Sequence, residues 1–414
     1  MTNSLSFTID ACRICDSRSI PTVLDLGDQP LANSLRRDRG EVLPVFPLRI
    51  CRCEACGTIQ LTETVAPEKL FAHYVWVTGT SESARAYSQV FCERMVDRSG
   101  PGRLFAVEIA SNDGTFLKPF RDRGDKVLGV DPARNIAAMA EADGIPTVAE
   151  FFGLDVANGV VARDGEADCV FARNVIPHVA NANDVVAGMA RCLSREGTGA
   201  IEFHRADVIL DELHYDSIYH EHLYFHSLHS IRRLLARAGL LPFDVTTSPI
   251  SGGSYVVYFS KTERPLTPDY TAAMAREEAL GIGEGAPWKK FADRCDEHRT
   301  ALSALVSARR AEGKRIIGYG ASARSSTMLN FCGIDHHMLD AIADGAPLKH
   351  HTYTPGTDVL ILPPAEAFAL KPDVVLLLAW NFRDEILGQI RREHGWSGEV
   401  IVPLPGAPSV IAFA

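Results

Sequence analysis

Four cysteines and one histidine-rich tetrad are the residues of this chain best suited to chemistry. Cys12-Arg13-Ile14-Cys15 and Cys53-Glu54-Ala55-Cys56 are two Cys-x-x-Cys knuckles with 37 residues between them. Two-residue spacing lets both thiolates of a knuckle face one ion, and four thiolates complete a closed tetrahedral zinc shell with no position left for catalysis. The spacing predicts a structural Zn2+ held by Cys12, Cys15, Cys53 and Cys56, with Cys51 as a spare thiol on the same loop. Tyr219-His220-Glu221-His222 gathers a phenol, a carboxylate and two imidazoles, groups that move protons and stabilise oxyanions. The short His220/His222 spacing is a weak signal for a metal.

Two turns offer nucleotide sites. The apolar stretch Leu104 to Ala110 runs into Glu108-Ile109-Ala110-Ser111-Asn112-Asp113-Gly114-Thr115, and Asp131 closes the next stretch about 20 residues later, where a carboxylate can accept from ribose hydroxyls. Ala110 and Asn112 stand at the first two positions of the Gly-x-Gly-x-x-Gly pyrophosphate pattern, so that pattern is absent. Glu108 would repel a pyrophosphate but suits a cationic amino-acid moiety, which favours S-adenosylmethionine over a dinucleotide. The second turn, Gly318-Tyr319-Gly320-Ala321-Ser322-Ala323, keeps Gly-x-Gly-x-x-Ala spacing, with Asp344 ending the following strand. On its own it reads as an NAD site, which makes an NAD-dependent oxidoreductase the competing reading.

The elements that must position these residues fall into three compositional zones. A chain of 414 residues holds two to four domains, with three the central expectation. Residues 1–70 are rich in Cys, Pro and Gly and read as a small β-rich module. Residues 71–265 open with a helix from Ser83 to Arg98, then alternate strands with helical spacing. The strands are Leu104 to Ala110, Lys126 to Asp131, Asp168 to Asn174 and Thr198 to His204, followed by Phe243 to Thr247 and Tyr255 to Ser260. Only a turn joins the last two, so the parallel sheet should close with an antiparallel pair. Residues 266–414 begin with helical spacing from Tyr270 to Glu312 and alternate again through strands near 315–319, 339–343, 359–362, 374–378 and 400–404. A second doubly wound sheet follows.

A net charge of −10 argues against a nucleic-acid footprint. The longest apolar run, Val374 to Trp380, is far too short to span a membrane, and the start of the chain lacks a secretory pattern, so a cytoplasmic location is expected.

Taken in order, these motifs resemble the sugar C-methyltransferase family acting on nucleotide-linked keto-deoxysugars in antibiotic and surface-polysaccharide pathways. The resemblance runs nearly end to end. It includes both knuckles, Asp25-Leu26-Gly27-Asp28-Gln29-Pro30-Leu31-Ala32-Asn33, the Glu108 to Gly114 loop and Asn174-Val175-Ile176-Pro177-His178. It continues through the Tyr219 to His222 tetrad, Gly252-Gly253-Ser254, the Gly318 to Ala323 turn and Leu362-Pro363-Pro364. It implies an α/β fold: a Rossmann-like class I methyltransferase domain with a small N-terminal zinc-binding module and a second Rossmann-like C-terminal domain that holds the nucleotide sugar. It implies methyl transfer from S-adenosylmethionine to a carbon beside a ketone, at carbon 3 of a thymidine-diphosphate-4-keto sugar, with carbon 5 or another keto substrate as alternatives. The implied catalytic set is His222 as base, Tyr219, Glu221, His178 and Tyr74. The implied cofactor contacts are Glu108, Ala110, Ser111, Asn112, Asp113, Gly114, Thr115, Asp131, Pro132 and Asn174. The implied substrate contacts are Asn33, Trp76, Tyr319 and Arg324. Trp76 replaces a tyrosine usual in the family, and Arg324 replaces its more common lysine, exchanging a point charge for a bidentate grip on phosphate.

Overall fold

The computed structural model describes residues 5–66, 77–249 and 253–413. The N-terminal module contains β1 (Ser6–Thr8), β2 (Thr22–Pro30), β3 (Val45–Arg52), β4 (Ile59–Leu61) and β5 (Glu63–Val65). β1 pairs with β5, and β2, β3 and β4 form an antiparallel meander. Its apolar content is small, and the cysteine loops lie before β2 and between β3 and β4.

The middle domain starts with α1 (Glu82–Ser99), where the Ser81 side chain caps by accepting from the Ala84 amide. β6 (Phe105–Ile109), α2 (Lys118–Arg123), β7 (Lys126–Val130), α3 (Arg134–Ala142), β8 (Thr147–Val148), α4 (Leu154–Asp164), β9 (Ala167–Arg173), α5 (Ala182–Cys192) and β10 (Leu193–His204) then alternate. α6 (Ala206–Glu212), β11 (Tyr224–Phe225), α7 (Leu228–Arg237), β12 (Leu241–Ser248) and β13 (Ser254–Ser260) complete it. The seven-stranded sheet has the order β12-β13-β10-β9-β6-β7-β8. β13 runs antiparallel to both neighbours, and the other pairings are parallel. Every residue of β6 and β13 is buried, as expected of strands covered on both faces.

The predicted helix over 270–312 is two helices, α8 (Pro268–Ala279) and α9 (Gly285–Ala311). The break falls at Gly281, whose φ of +61° suits a glycine, and at Gly283. β14 (Ile316–Tyr319), α10 (Ala323–Cys332), β15 (Ala341–Ala343), β16 (Ile361–Leu362), α11 (Pro364–Ala369), β17 (Val374–Leu377), α12 (Arg383–His394), β18 (Gly398–Val402) and β19 (Ser409–Phe413) follow. Their sheet order is β16-β15-β14-β17-β18-β19, parallel except for β19. β19 adds a strand beyond those expected from the sequence, because its alternation is short and lies after Pro405 and Pro408. The architecture is thus α/β, with a Rossmann-like middle sheet closed by an antiparallel pair, an N-terminal cysteine module and a second Rossmann-like sheet. Among the described residues, no helix is long and apolar enough to cross a membrane.

Candidate active site

The four knuckle thiols meet. Cys12 Sγ lies 3.7 Å from Cys56 Sγ, Cys15 Sγ lies 3.5 Å from Cys53 Sγ, and all four sulfurs lie within 4.8 Å of one another. Zn–S bonds of about 2.3 Å at tetrahedral angles place sulfurs about 3.8 Å apart, so the donor set fits zinc. Cys51 is fully buried outside this group, and burial pushes its thiol up to about 12, so it stays protonated. The module docks on the middle domain through Asn183, whose side chain donates to the Arg13 and Ile14 carbonyls at 2.9 and 3.2 Å.

At the carboxyl end of β6 the chain turns through left-handed conformations at Ala110 (φ +51°), Asn112 (φ +50°) and Gly114 (φ +73°). A Cβ at Gly114 would sit 2.8 Å from Ile145 Cγ1, so glycine is required there. Asp131 holds the loop by accepting from the Asn112 amide at 2.8 Å and the Ala133 amide, across Pro132, at 2.9 Å. Asn112 and Asp113 accept from the Thr78 and Gly79 amides, and Asp113 also accepts from the Thr115 hydroxyl at 2.7 Å. Asn112, Asp113 and Thr115 are therefore occupied in shaping the loop. Glu108 is 3% exposed with Oε2 unpartnered, and burial holds its carboxyl well above the usual range despite the opposing charge of Arg173. Ser111 Oγ is likewise buried without a partner. Two orphaned polar atoms beside a strained strand-to-helix loop suit S-adenosylmethionine, whose amino group could bond Glu108. Asn174 (φ +53°) ends β9 on the same side of the sheet, its amide donating to the Glu202 carbonyl.

Tyr219, His222 and His178 form one network. His222 Nδ1 lies 2.9 Å from the Ser217 carbonyl, which can only accept, so Nδ1 carries the proton and Nε2 is the bare acceptor. Tyr219 donates its hydroxyl to that Nε2 at 2.8 Å. His178 donates Nδ1–H to the Glu221 carbonyl at 2.8 Å, and its ring stands edge-on to His222 with centroids 4.9 Å apart. Burial lowers His178 to about 4; burial first, then the proximity of the His178 ring, which disfavours a second proton beside it, holds His222 well below the ordinary histidine range. Both rings are neutral at pH 7. Glu221 accepts from the Asn33 side chain at 2.6 Å, and burial raises its carboxyl against that bond. His220, the remaining residue of the sequence tetrad, points away and bonds the Phe46 carbonyl at 3.3 Å.

The segment carrying these residues is gripped from both sides. β11, two residues beyond His222, pairs antiparallel with β4 and extends the module's sheet to four strands. On the other side Asp216, fully buried, accepts a bidentate pair from Arg324 at 2.8 and 3.0 Å and the Trp380 indole N–H at 2.8 Å. Sequence reasoning missed Asp216, whose partner lies 108 residues away and whose neighbours carry no motif.

The substrate positions read from the sequence fare differently. Asn33 reaches the site but engages Glu221. Arg324, expected to face phosphate, is committed to Asp216. Tyr319 is 5% exposed and donates its hydroxyl to Gln389 at 3.2 Å. Tyr74 and Trp76 lie outside the described residues. In the second turn, Gly320 (φ +97°) leads into a Ser322/Ser325 capping box at α10. Asp344 accepts from the Ala321 and Ala346 amides and from Lys349, so both its oxygens are engaged, as those of Asp131 are in the first turn.

Three family models cover the chain: "Putative zinc binding domain" over residues 12–71, "Methyltransferase domain" over 91–242 and "C-methyltransferase C-terminal domain" over 249–405. C-methyltransferase NovU from Streptomyces niveus is 34% identical over 412 residues, covering 98% of this chain and 97% of that protein. Among solved structures, PH0226 from Pyrococcus horikoshii OT3 is similar at 14% identity and a TM-score of 0.38, covering 47% of this chain and 99% of that one. Magnesium protoporphyrin IX methyltransferase from Synechocystis PCC 6803 is similar at 14% identity and a TM-score of 0.35, covering 47% of this chain and 92% of that one. The chain belongs to the S-adenosylmethionine-dependent C-methyltransferase family with an N-terminal zinc-binding domain.

Proposed function

We propose that this enzyme methylates a carbon beside the ketone of a nucleotide-diphosphate 4-keto-deoxysugar, at carbon 3 of a thymidine-diphosphate sugar, after removing that carbon's proton. The observation that carries this reading is the Tyr219–His222 pair, a phenol donating to the bare nitrogen of a neutral imidazole. A carbon acid beside a ketone needs a base in its free form and a hydrogen-bond donor for the enolate oxygen. His222 is held in its free form by burial, and its tautomer is fixed by the Ser217 carbonyl.

When His222 Nε2 takes the α-proton, the C–H electron pair moves into the enolate and the imidazole becomes imidazolium. Nε2–H can then donate to Tyr219 Oη, which frees the phenol proton to turn to the enolate oxygen. One proton transfer thus switches Tyr219 from donor to base into donor to oxyanion. His178 stands against the same ring, with its Nδ1–H held by the Glu221 carbonyl. S-adenosylmethionine, held at the β6 loop, supplies the methyl that ends on the deprotonated carbon.

The experiment is proton exchange: a thymidine-diphosphate-4-keto-6-deoxyhexose incubated with enzyme and S-adenosylhomocysteine in D2O. Deuterium should enter carbon 3 and should not enter with His222→Gln. Exchange at carbon 5 alone would move the assigned position, and no enzyme-dependent exchange would remove this substrate.

A further inference from the structure

We propose that Asp216 and Arg324 are a positioning pair for this reaction, through which the C-terminal domain sets the orientation and tautomer of His222. The inference rests on the assignment of Tyr219 and His222 to proton transfer. Arg324 is the second residue of α10, directly after the Gly-x-Gly-x-x-Ala turn. Its guanidinium is bidentate on Asp216 and lies over the Trp380 ring, 4.9 Å from the centroid. Trp380 closes the triangle by donating to the same carboxylate. A charge pair at 0% exposure for the acid is costly to break, because either partner alone is left charged and dry.

The next peptide makes the link to chemistry. Ser217 follows Asp216, and its carbonyl is the acceptor that keeps the proton on His222 Nδ1 and leaves Nε2 bare. Ser217's own hydroxyl ties back to the His214 carbonyl at 2.7 Å, and Thr327 of α10 donates to the Ile218 carbonyl at 2.9 Å. Residues 214–218 are therefore pinned to α10 at two points on either side of that carbonyl. Tyr215 ties the segment to α9 as well, its hydroxyl bonded to His298 Nδ1 at 3.0 Å, since His298 gives its Nε2–H to the Pro403 carbonyl. If Asp216 swings, the Ser217 carbonyl moves with it, and His222 loses the acceptor that specifies its reactive nitrogen.

This assignment differs from a phosphate-binding Arg324 in what it predicts. Asp216→Asn keeps the shape and removes the charge, Arg324→Gln removes the guanidinium, and Arg324→Lys restores a cation. For each full-length variant, kcat and KM are measured with a thymidine-diphosphate-4-keto-6-deoxyhexose, and S-adenosylhomocysteine affinity is measured by calorimetry. The ring nitrogens of His222 are followed by 15N NMR of histidine-labelled protein, their signals identified by loss in His222→Gln. Asp216→Asn and Arg324→Gln should lower kcat about ten- to a hundredfold, the scale for a small misplacement of a catalytic group. KM should change less than about threefold, Arg324→Lys should recover part of the loss, and the His222 signals should leave the Nδ1-protonated pattern. A raised KM with unchanged kcat in Arg324→Gln would overturn the proposal and return Arg324 to phosphate binding. Unchanged His222 signals in both charge-removing variants would overturn it as well. Should Asp216→Asn fail to fold, the Arg324→Gln and Arg324→Lys comparison decides. The ring signals need no substrate, so they still decide the positioning role if the unaltered enzyme does not turn over this sugar, an outcome that counts against the substrate.

Discussion

Tyr219→Phe isolates one oxygen. The ring and its contact with His222, centroids 4.1 Å apart, remain, while the hydroxyl 2.8 Å from Nε2 is lost. If that hydroxyl donates to the enolate oxygen, its removal should slow turnover as loss of one oxyanion donor does, about 100- to 1,000-fold, or about 2.7–4 kcal/mol of transition-state stabilisation. The folding cost is smaller: Nε2 loses its donor at a half-buried position, about 1 kcal/mol. Because phenol and imidazole share one proton, the losses should not add. The Tyr219→Phe/His222→Gln double variant should be no more than a few-fold slower than the slower single variant. The assay is the initial rate of S-adenosylhomocysteine formation with keto sugar, beside calorimetric affinity for S-adenosylhomocysteine, which should be unchanged. Turnover of Tyr219→Phe within about threefold of the unaltered enzyme, or additive losses in the double variant, would refute the shared-proton mechanism.

Metal analysis should find about one zinc per chain, and Cys53→Ser should lose it, lower the melting temperature and abolish activity, since β11 leads from the active-site segment into the module's sheet; a metal-free variant with full activity would contradict this. Glu108→Gln should weaken S-adenosylhomocysteine binding at least about tenfold without lowering the melting temperature, because burial already disfavours the Glu108 carboxylate; unaltered affinity in calorimetry would remove Glu108 from the cofactor site. Burial lowers His178 to about 4 and His214 and His226 to about 3. At these three rings the folded state therefore binds fewer protons than the unfolded chain below pH 6.5, so their contribution to stability is full above that value and is lost as pH falls through about 4 to about 3. Each ring contributes up to about 1.4 kcal/mol per pH unit in that window, so chemical denaturation should show a steep decline from pH 6.5 to 4, and a flat profile would contradict neutral burial.

Much of this architecture is legible from local pattern. Period, turn residues and spacing locate β6, β7, β9 and β13 to within about two residues, because each is a short apolar run between polar turns. The cysteine knuckles are legible because four thiolates at that spacing satisfy one ion. Contacts over long sequence separation leave no such mark. Asp216 reads as an ordinary acid in a loop until Arg324 and Trp380 close around it, and Arg324 reads as a phosphate ligand because its position after a glycine turn carries that association. The pairing of β11 with β4 was equally hidden, since two residues, Tyr224 and Phe225, make no pattern. His220 shows the limit of motif reading at close range: its neighbours Tyr219 and His222 meet in the site, while its own ring faces Phe46.

Carbon methylation beside a ketone, with loss of the proton from that carbon, can be read in one product: 13C-methyl S-adenosylmethionine and a thymidine-diphosphate-4-keto-6-deoxyhexose deuterated at carbon 3 are supplied together, and the product is analysed by NMR and mass spectrometry. A labelled methyl bonded to carbon 3 and complete loss of that deuterium are expected. A methyl on oxygen, or on a carbon not adjacent to the ketone, would contradict this chemistry.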